Sequence, residues 1–306
     1  MLRKIGLLIV VGLIVAAAPL PNDSYPIKIK KSAQGDVIRL DREETDDSSF
    51  KREEPDGKVA NERKERTVLQ SYKETIVAKE EGKRAAKLRR EYTKAIVKTG
   101  DKETVLAYQG KTVLIEKKDG KYHFAFEDGK ELTGNDAELL NREFNKGGDD
   151  GDDADMEKAF LPGKPVKVGE TWKIEPAAII KAFEKGASQP LPMNKENVKG
   201  EGKLVRANKD GDRQYADIDI DITIPLKGEF PLGRGQTAPI GSGSRMLMKV
   251  RYKKICIDGA TGDRVTDMSF DMNLDTTFKG LDGKEYKFSI TNKHTLKNKR
   301  EELSKK

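Results

Sequence analysis

Four segments near the end of the chain alternate between apolar and polar residues, and this pattern constrains the fold most. They are residues 215–224, 246–253, 267–275 and 286–291. In the first, isoleucine occupies every second position from Ile218 to Ile224, with aspartate or threonine between them. A period of two places alternate side chains on opposite faces of a β-strand. The pattern therefore predicts an antiparallel sheet with one apolar face and one face in water.

The polar sides of these segments also alternate in charge. They are acidic, basic, acidic and basic in chain order, as with Asp219, Arg251, Asp271 and Lys287. Opposite charges on neighbouring strands contribute roughly 0.2–1 kcal/mol per pair, whereas like charges oppose pairing. We therefore expect the segments to pair in sequential order, as a β-meander.

The middle of the chain continues the β pattern with one ambiguity. Residues 65–98 fit either a helical face or two strands joined across residues 80–83, and the strands that follow favour the hairpin. Short strands are predicted at 104–109, 112–117 and 121–127, with Asp-Gly turns at Asp119 and Asp128. These segments extend the predicted meander toward the N-terminus.

Two short helices interrupt the strands. Thr133 is a candidate N-cap for a helix with Leu139, Leu140 and Phe144 on its apolar side. Pro176 begins a second helix that ends at Gly186. The predicted fold is α+β and mainly β: a curved, half-barrel-like antiparallel meander with two short helices on its apolar face.

The first eighteen residues have the order of a secretory signal peptide. Arg3 and Lys4 precede an apolar run at residues 5–15, and three alanines follow at 16–18. The run is shorter than the roughly 20 residues that span a bilayer. We expect export to the periplasm or beyond, with cleavage near Ala17 or Ala18. An uncleaved anchor is the alternative.

Composition divides the rest of the chain. Charged residues make up 36% and hydrophobic residues 35% of 306 residues, too polar for a protein with many membrane spans. Residues 19–64 are predicted to be a disordered polar tether. Residues 65–299 are expected to form a single β-rich domain, interrupted by an acidic loop at 147–156. Residues 300–306 are expected to form a basic tail. Because both charge signs are interspersed, nucleic acid is not an expected partner.

The residues that carry most enzyme chemistry are scarce. One cysteine and two histidines exclude an internal disulfide, a multi-cysteine metal site and a His-rich metal site. Alternate aspartates 217, 219 and 221 lie roughly 6.5–7 Å apart along a strand, too far apart to hold one Ca²⁺. No spacing pairs a nucleophile with a base, and a packed role is expected for Cys256, His123 and His294. No enzyme activity, catalytic residue, metal or cofactor is therefore expected.

Methionine is concentrated on the apolar sides of two successive strands. Because methionine is flexible and polarizable, it recurs on surfaces that accept varied apolar ligands. The candidate ligand-binding residues are Met246, Met248, Met268, Phe270, Met272 and Tyr252. The alternative is an ordinary core covered by the two helices.

Three segments resemble a family of uncharacterised exported proteins that is abundant in planctomycete bacteria. They are residues 108–117 (YQGKTVLIEK), 136–144 (DAELLNREF) and 160–172 (FLPGKPVKVGETW). The resemblance spans residues 65–296 and implies an envelope or secreted protein, without a known activity or known site residues. The sequence thus predicts a non-enzymatic envelope protein that binds an apolar ligand or lipid on the methionine-lined face. The alternative is a structural module with a filled core that contacts an envelope protein or cell-wall polymer.

Overall fold

The computed structural model describes residues 23–145, 159–186, 192–233, 236–280 and 282–303. The strands are β1 (Ser24–Tyr25), β2 (Val37–Glu53), β3 (Val59–Ala78), β4 (Lys87–Thr99), β5 (Lys102–Val105), β6 (Thr112–Lys118), β7 (Lys121–Phe126), β8 (Val166–Lys167), β9 (Thr171–Lys173), β10 (Lys199–Asp210), β11 (Arg213–Pro225), β12 (Glu229–Gly233), β13 (Gln236–Pro239), β14 (Arg245–Cys256), β15 (Arg264–Lys279) and β16 (Glu285–Leu303). The helices are α1 (Gly134–Phe144), α2 (Pro176–Gly186) and a single 3₁₀ turn, Lys195–Asn197. Neither α-helix of these ranges is long and apolar enough to cross a membrane.

Most of the strands belong to one antiparallel sheet. Its order is β7-β6-β4-β3-β2-β16-β15-β14-β11-β10-β9, and β5 pairs with β4. Within the described residues β7 and β9 remain at the two edges, so the sheet does not close into a barrel. The run β16-β15-β14-β11 confirms the sequential meander. The hairpin prediction for residues 65–98 is also confirmed, because β3 and β4 pair along most of their lengths.

The charge alternation lies across neighbouring strands as expected. Arg251 of β14 contacts Asp219 and Asp221 of β11 at 3.3 and 3.0 Å. Lys253 contacts Asp267 of β15 at 2.7 Å. These pairs are on the outer face of the sheet, where they favour the observed register over a slip by one residue.

The sheet includes residues nearer the N-terminus than the sequence predicted. The prediction of a disordered tether over residues 19–64 is wrong for β2 and for the first part of β3, which lie in the middle of the sheet. β2 needs few large apolar residues because it pairs with β16 and β3 along its whole length. Its charges also match those of β16, as in the contact between Lys297 and Glu43 at 3.4 Å.

The ends of the predicted regions need one further correction. The basic tail was expected from residue 300, but β16 continues to Leu303. The predicted signal peptide at 1–18 and the predicted acidic loop at 147–156 lie outside the described residues.

Both helices pack on one face of the sheet, which we call the inner face. Ala137, Leu140 and Phe144 of α1 are buried in an apolar cluster with residues of β3, β4, β6 and β7. Ile179 of α2 is buried in a second cluster with residues of β10, β11 and β14. The α+β fold, mainly β, with a curved meander and two short helices on its apolar face, is therefore confirmed.

The second cluster contains a close contact between an indole and a glycine. A Cβ atom added to Gly202 of β10 would lie 2.2 Å from Cε2 of Trp172 on β9. The indole N–H of Trp172 donates a hydrogen bond to the Phe160 carbonyl at 2.9 Å. Only glycine at position 202 leaves room for the ring in this orientation.

Candidate functional site

The middle of the inner face, where β15, β16 and β2 run side by side, places apolar and polar residues next to each other. Phe270 lies opposite His294, which lies opposite Asp46. The two neighbouring rows of residues, which begin at Met268 and Met272, are aligned in the same way across the three strands. We call this surface the central band, formed by Met268, Phe270 and Met272 of β15, Asn292, His294 and Leu296 of β16, and Glu44, Asp46 and Ser48 of β2. All nine side chains are half-buried.

The residues predicted to bind a ligand lie together on β14 and β15, but they differ in exposure. Met246 and Tyr252 are buried in the core cluster under α2, with 1% and 7% of their surface exposed. The other four, Met248, Met268, Phe270 and Met272, are half-buried and pack against that cluster. Phe183 of α2 lies 6.0 Å from the Phe270 ring, centroid to centroid.

Two asparagine side chains of β16, one in the central band and one beyond its end, have buried polar atoms. The amide oxygens of Asn292 and Asn298 are buried and have no hydrogen-bond partner among the described residues. Asn298 follows the band on β16 and lies opposite Thr266 and Arg42. Buried acceptors of this kind normally bind water or a ligand that donates a hydrogen bond.

A buried arginine fastens α1 to the sheet. Nε of Arg90 on β4 donates to Glu74 of β3 at 2.6 Å, and its Nη2 donates to Glu143 of α1 at 2.7 Å. The guanidinium also lies over the rings of Tyr72 and Phe144, at 4.3 and 4.9 Å from their centroids. Arg90 is 4% exposed. Burial would lower the pKa of Arg90, but the carboxylate of Glu143 and other neighbours raise it well above its usual value.

These charges continue along the inner face to the central band. The charge network comprises Glu74, Arg90, Glu143, Arg42, Glu44, Arg142, Asp46 and His294. Arg42 bridges the two parts, because it lies 3.8 Å from Glu143 and 2.6 Å from Glu44. The network therefore connects the apolar cluster under α1 to the half-buried band.

The end of this network includes candidate metal ligands. Donor atoms of Glu44, Asp46 and His294 lie within 4.8 Å of one another. Nδ1 of His294 is already 2.8 Å from Asp46, and Arg142 lies within 3.9 Å of both carboxylates. A cation would have to displace these contacts and approach two guanidinium groups, which is electrostatically unfavourable. We assign the three residues to the network of hydrogen bonds and ion pairs that includes Arg42 and Arg142.

Acid should weaken the attachment of α1. Burial would raise the pKa of Glu143, but the charges and hydrogen bonds of Arg90 and the charge of Arg42 lower it overall. A carboxyl group with a lowered pKa stabilises the fold fully above its unfolded pKa, near 4.5, and this contribution is lost as the pH falls through the folded value. We expect the urea midpoint to fall from about pH 5 downward. The Glu143→Gln variant should lose stability at neutral pH and show a shallower acid dependence. An equally steep dependence in that variant would contradict this role.

Sequence reasoning missed Arg90, Glu74 and Glu143 as a unit. A signal was present, because Arg90 stands between Leu88 and Tyr92, and Glu74 stands between Tyr72 and Ile76. Each is a charged residue with apolar residues two positions before and two positions after it on its strand. Opposite charges at inward positions of paired strands indicate a buried ion pair.

Cys256 is inert in this fold. It is 1% exposed, and its thiol donates a hydrogen bond to Asp258 at 3.0 Å. Burial and this carboxylate raise the pKa of the thiol. Because the thiolate is the reactive form, we expect Ellman's reagent to label the native protein at least about 100-fold more slowly than the unfolded chain. Similar labelling rates for the two states would show that the thiol is accessible.

Comparisons with known proteins leave the chain without an assigned family. No family model and no curated protein matches it. The planctomycete resemblance therefore stays a prediction.

Structural comparison finds solved proteins of very low similarity to this chain. The toluene transporter TodX of P. putida is 8% identical, with 90% of this chain and 92% of that chain covered and a TM-score of 0.23. OpdQ of Pseudomonas aeruginosa is 8% identical, with 87% and 98% covered and a TM-score of 0.16. OccK7 (OpdD) of the same organism is 7% identical, with 89% and 100% covered and a TM-score of 0.13. These TM-scores are too low to support any conclusion about function.

Proposed function

We propose that this chain is an exported, non-enzymatic envelope protein that holds an amphiphile on the central band. Export rests on the N-terminal order of a basic pair, an apolar run and three alanines. Binding rests on one observation, the direct alignment of Met268, Phe270 and Met272 with Leu296, His294 and Asn292 on one half-buried face.

This alignment suits an amphiphile better than a wholly apolar molecule. Methionine and phenylalanine offer an adaptable surface for an acyl chain. Next to them, Asn292 presents a buried amide oxygen that lacks a hydrogen-bond donor among the described residues. A molecule with a hydroxyl or amide group and an apolar chain satisfies both sides of the band.

The second candidate is a structural or interaction module without a small ligand. The burial of Met246 and Tyr252 favours it, because these two predicted ligand residues are part of the core. In this case the protein would act through its charged outer face on an envelope protein or a cell-wall polymer.

Two measurements distinguish amphiphile binding from a structural role. They are native mass spectrometry of the protein purified from a bacterial envelope, and organic extraction of any bound molecule. We expect a bound lipid, and a fluorescent fatty acid should also bind. The Met272→Lys variant should weaken that binding at least about tenfold, because a charge replaces apolar contact area. Asn273→Lys is the matched control, since residue 273 is the next on β15 and faces outward. Met272→Asn is a milder variant, and melting curves verify that each variant is folded. Absence of both extracted lipid and fatty-acid uptake would reject the proposal, as would equal binding by Met272→Lys and the control.

A further inference from the structure

A polar cleft lies where β11 ends and β14 begins. Its volume is about 510 Å³, within the range of sites for small molecules. Residues 225–227 and 240–245 form most of it, together with Asn194. None of the nine residues of the central band lines it, so the cleft is separate from the site proposed above.

Backbone hydrogen bonds fasten the three segments of the cleft to one another. The N–H of Asn194 donates to the Pro225 carbonyl at 2.8 Å, and the N–H of Leu226 donates to the Ser244 carbonyl at 2.9 Å. Ser244 is 2% exposed, and its hydroxyl accepts a hydrogen bond from the N–H of Asp275 on β15 at 3.0 Å. The walls of the cleft are thus held in position before any ligand binds.

One wall is a tight turn formed by Gly241, Ser242, Gly243 and Ser244. A hydrogen bond from the Ser244 N–H to the Gly241 carbonyl closes it at 3.3 Å. Gly243 has a φ of +96°, the left-handed backbone that the third residue of a type II turn adopts. The N–H groups of Ser242 and Gly243 donate to no other described residue. Free N–H groups in a turn are available to an anion.

The basic side chains of the cleft have no counter-charge. Lys227 and Arg245 are its two basic residues, and none of the described residues that line it is acidic. Neither basic side chain forms an ion pair or a hydrogen bond with another described residue. The side chain of Asp275 does not line the cleft, and its carboxylate accepts a hydrogen bond from Ser289. Two positive charges and no negative charge therefore leave the lining at +2.

The chemistry of the lining suits a phosphorylated molecule that also has hydroxyl groups. The guanidinium of Arg245 matches the geometry of a phosphate, and the ammonium of Lys227 adds a second charge-assisted donor. The amide of Asn194 and the hydroxyl of Ser242 are donors and acceptors that suit hydroxyl groups. The volume of the cleft holds more than one phosphate group.

We propose that the cleft binds the phosphate group of a small hydroxyl-bearing molecule, such as a sugar phosphate. Lys227 and Arg245 bind the phosphate, and Asn194 and Ser242 bind the hydroxyl groups. The inference is independent of amphiphile binding, because the cleft and the central band share no residue.

Calorimetry with glucose 6-phosphate, glucose and inorganic phosphate tests the inference. The wild-type protein should bind glucose 6-phosphate at least about tenfold more tightly than either of the other two probes. Lys227→Gln and Arg245→Gln should each weaken that binding at least about tenfold, because each removes a charge-assisted hydrogen bond. Lys249→Gln is the matched control. It removes the same charge from an exposed residue of β14 that does not line the cleft.

Each contrary outcome identifies the part of the inference that fails. No binding of glucose 6-phosphate by the wild-type protein would overturn the site itself. Equal affinity for glucose would overturn phosphate recognition, and equal affinity for inorganic phosphate would overturn the hydroxyl-bearing ligand. An equal loss in Lys249→Gln would show general attraction to a basic protein instead of binding in the cleft. Both substituted side chains are exposed, and melting curves verify that the variants are folded.

Discussion

Replacing Arg90 with alanine is expected to lower the free energy of unfolding by about 3–5 kcal/mol. Arg90 is 4% exposed and binds Glu74 and Glu143 through its guanidinium. The variant leaves both carboxylates without their main counter-charge in a site of low polarity, and it removes the link between α1 and the sheet. Urea unfolding followed by circular dichroism measures the change.

Arg63→Ala is the matched control for this variant. Arg63 also forms an ion pair with a carboxylate, that of Asp47 at 2.8 Å, but its side chain is 66% exposed. A solvent-exposed pair contributes little to stability, because water and salt screen it. If Arg90→Ala and Arg63→Ala lowered the free energy of unfolding by the same amount, the buried network would not hold α1 in place. Measuring Arg90→Ala in a Glu143→Gln background gives the coupling between the two side chains.

Gly202→Ala is expected to lower the free energy of unfolding by about 3 kcal/mol, because the added Cβ would lie 2.2 Å from Cε2 of Trp172. The indole would have to move and would lose the hydrogen bond to the Phe160 carbonyl. Trp172 is the only tryptophan, so a red shift of the native fluorescence reports the displacement directly.

Gly163→Ala provides the comparison, since nothing lies within 4 Å of a Cβ at that position and its backbone is not left-handed. The free energy of unfolding of that variant should lie within about 0.5 kcal/mol of the wild-type value. Equal stability of the two glycine variants, with unchanged Trp172 fluorescence, would show that the β9–β10 contact adapts at little cost.

The sequence predicted the elements whose local pattern agrees with their place in the fold. Residues 215–224, 246–253, 267–275 and 286–291 each alternate between an apolar inner side and a polar outer side, and the charges alternate between strands. Both patterns demand the same register, so the meander could be derived without a structure. The helix at Gly134–Phe144 was likewise marked by its apolar stripe; Thr133 occupies its N-cap position, but the Thr133 side chain makes no capping hydrogen bond.

β2 could not be predicted because its stability comes from its neighbours. Residues 41–49 contain no large apolar side chain, and a composition rule assigns them to disorder. In the fold, β16 and β3 satisfy the backbone hydrogen bonds of β2 on both sides. β16 is distant in sequence and leaves no local signal, whereas β3 follows β2 directly across Pro55-Asp56-Gly57, a hairpin turn signal that the sequence analysis missed.

The candidate site was only partly predictable, because its residues come from strands that are far apart in the chain. The methionines of β15 followed from alternation along one strand. Their polar neighbours Asn292 and His294 lie on an adjacent strand, and Asp46 and Glu44 lie about 250 residues away in the chain.

A crystal structure with a brominated stearate tests the central claim most directly, because the anomalous signal of bromine locates the chain in the protein. We predict bromine peaks over β15 between Met268 and Met272. Crystals grown with the same lipid that show no bromine on the inner face would contradict amphiphile binding at this site.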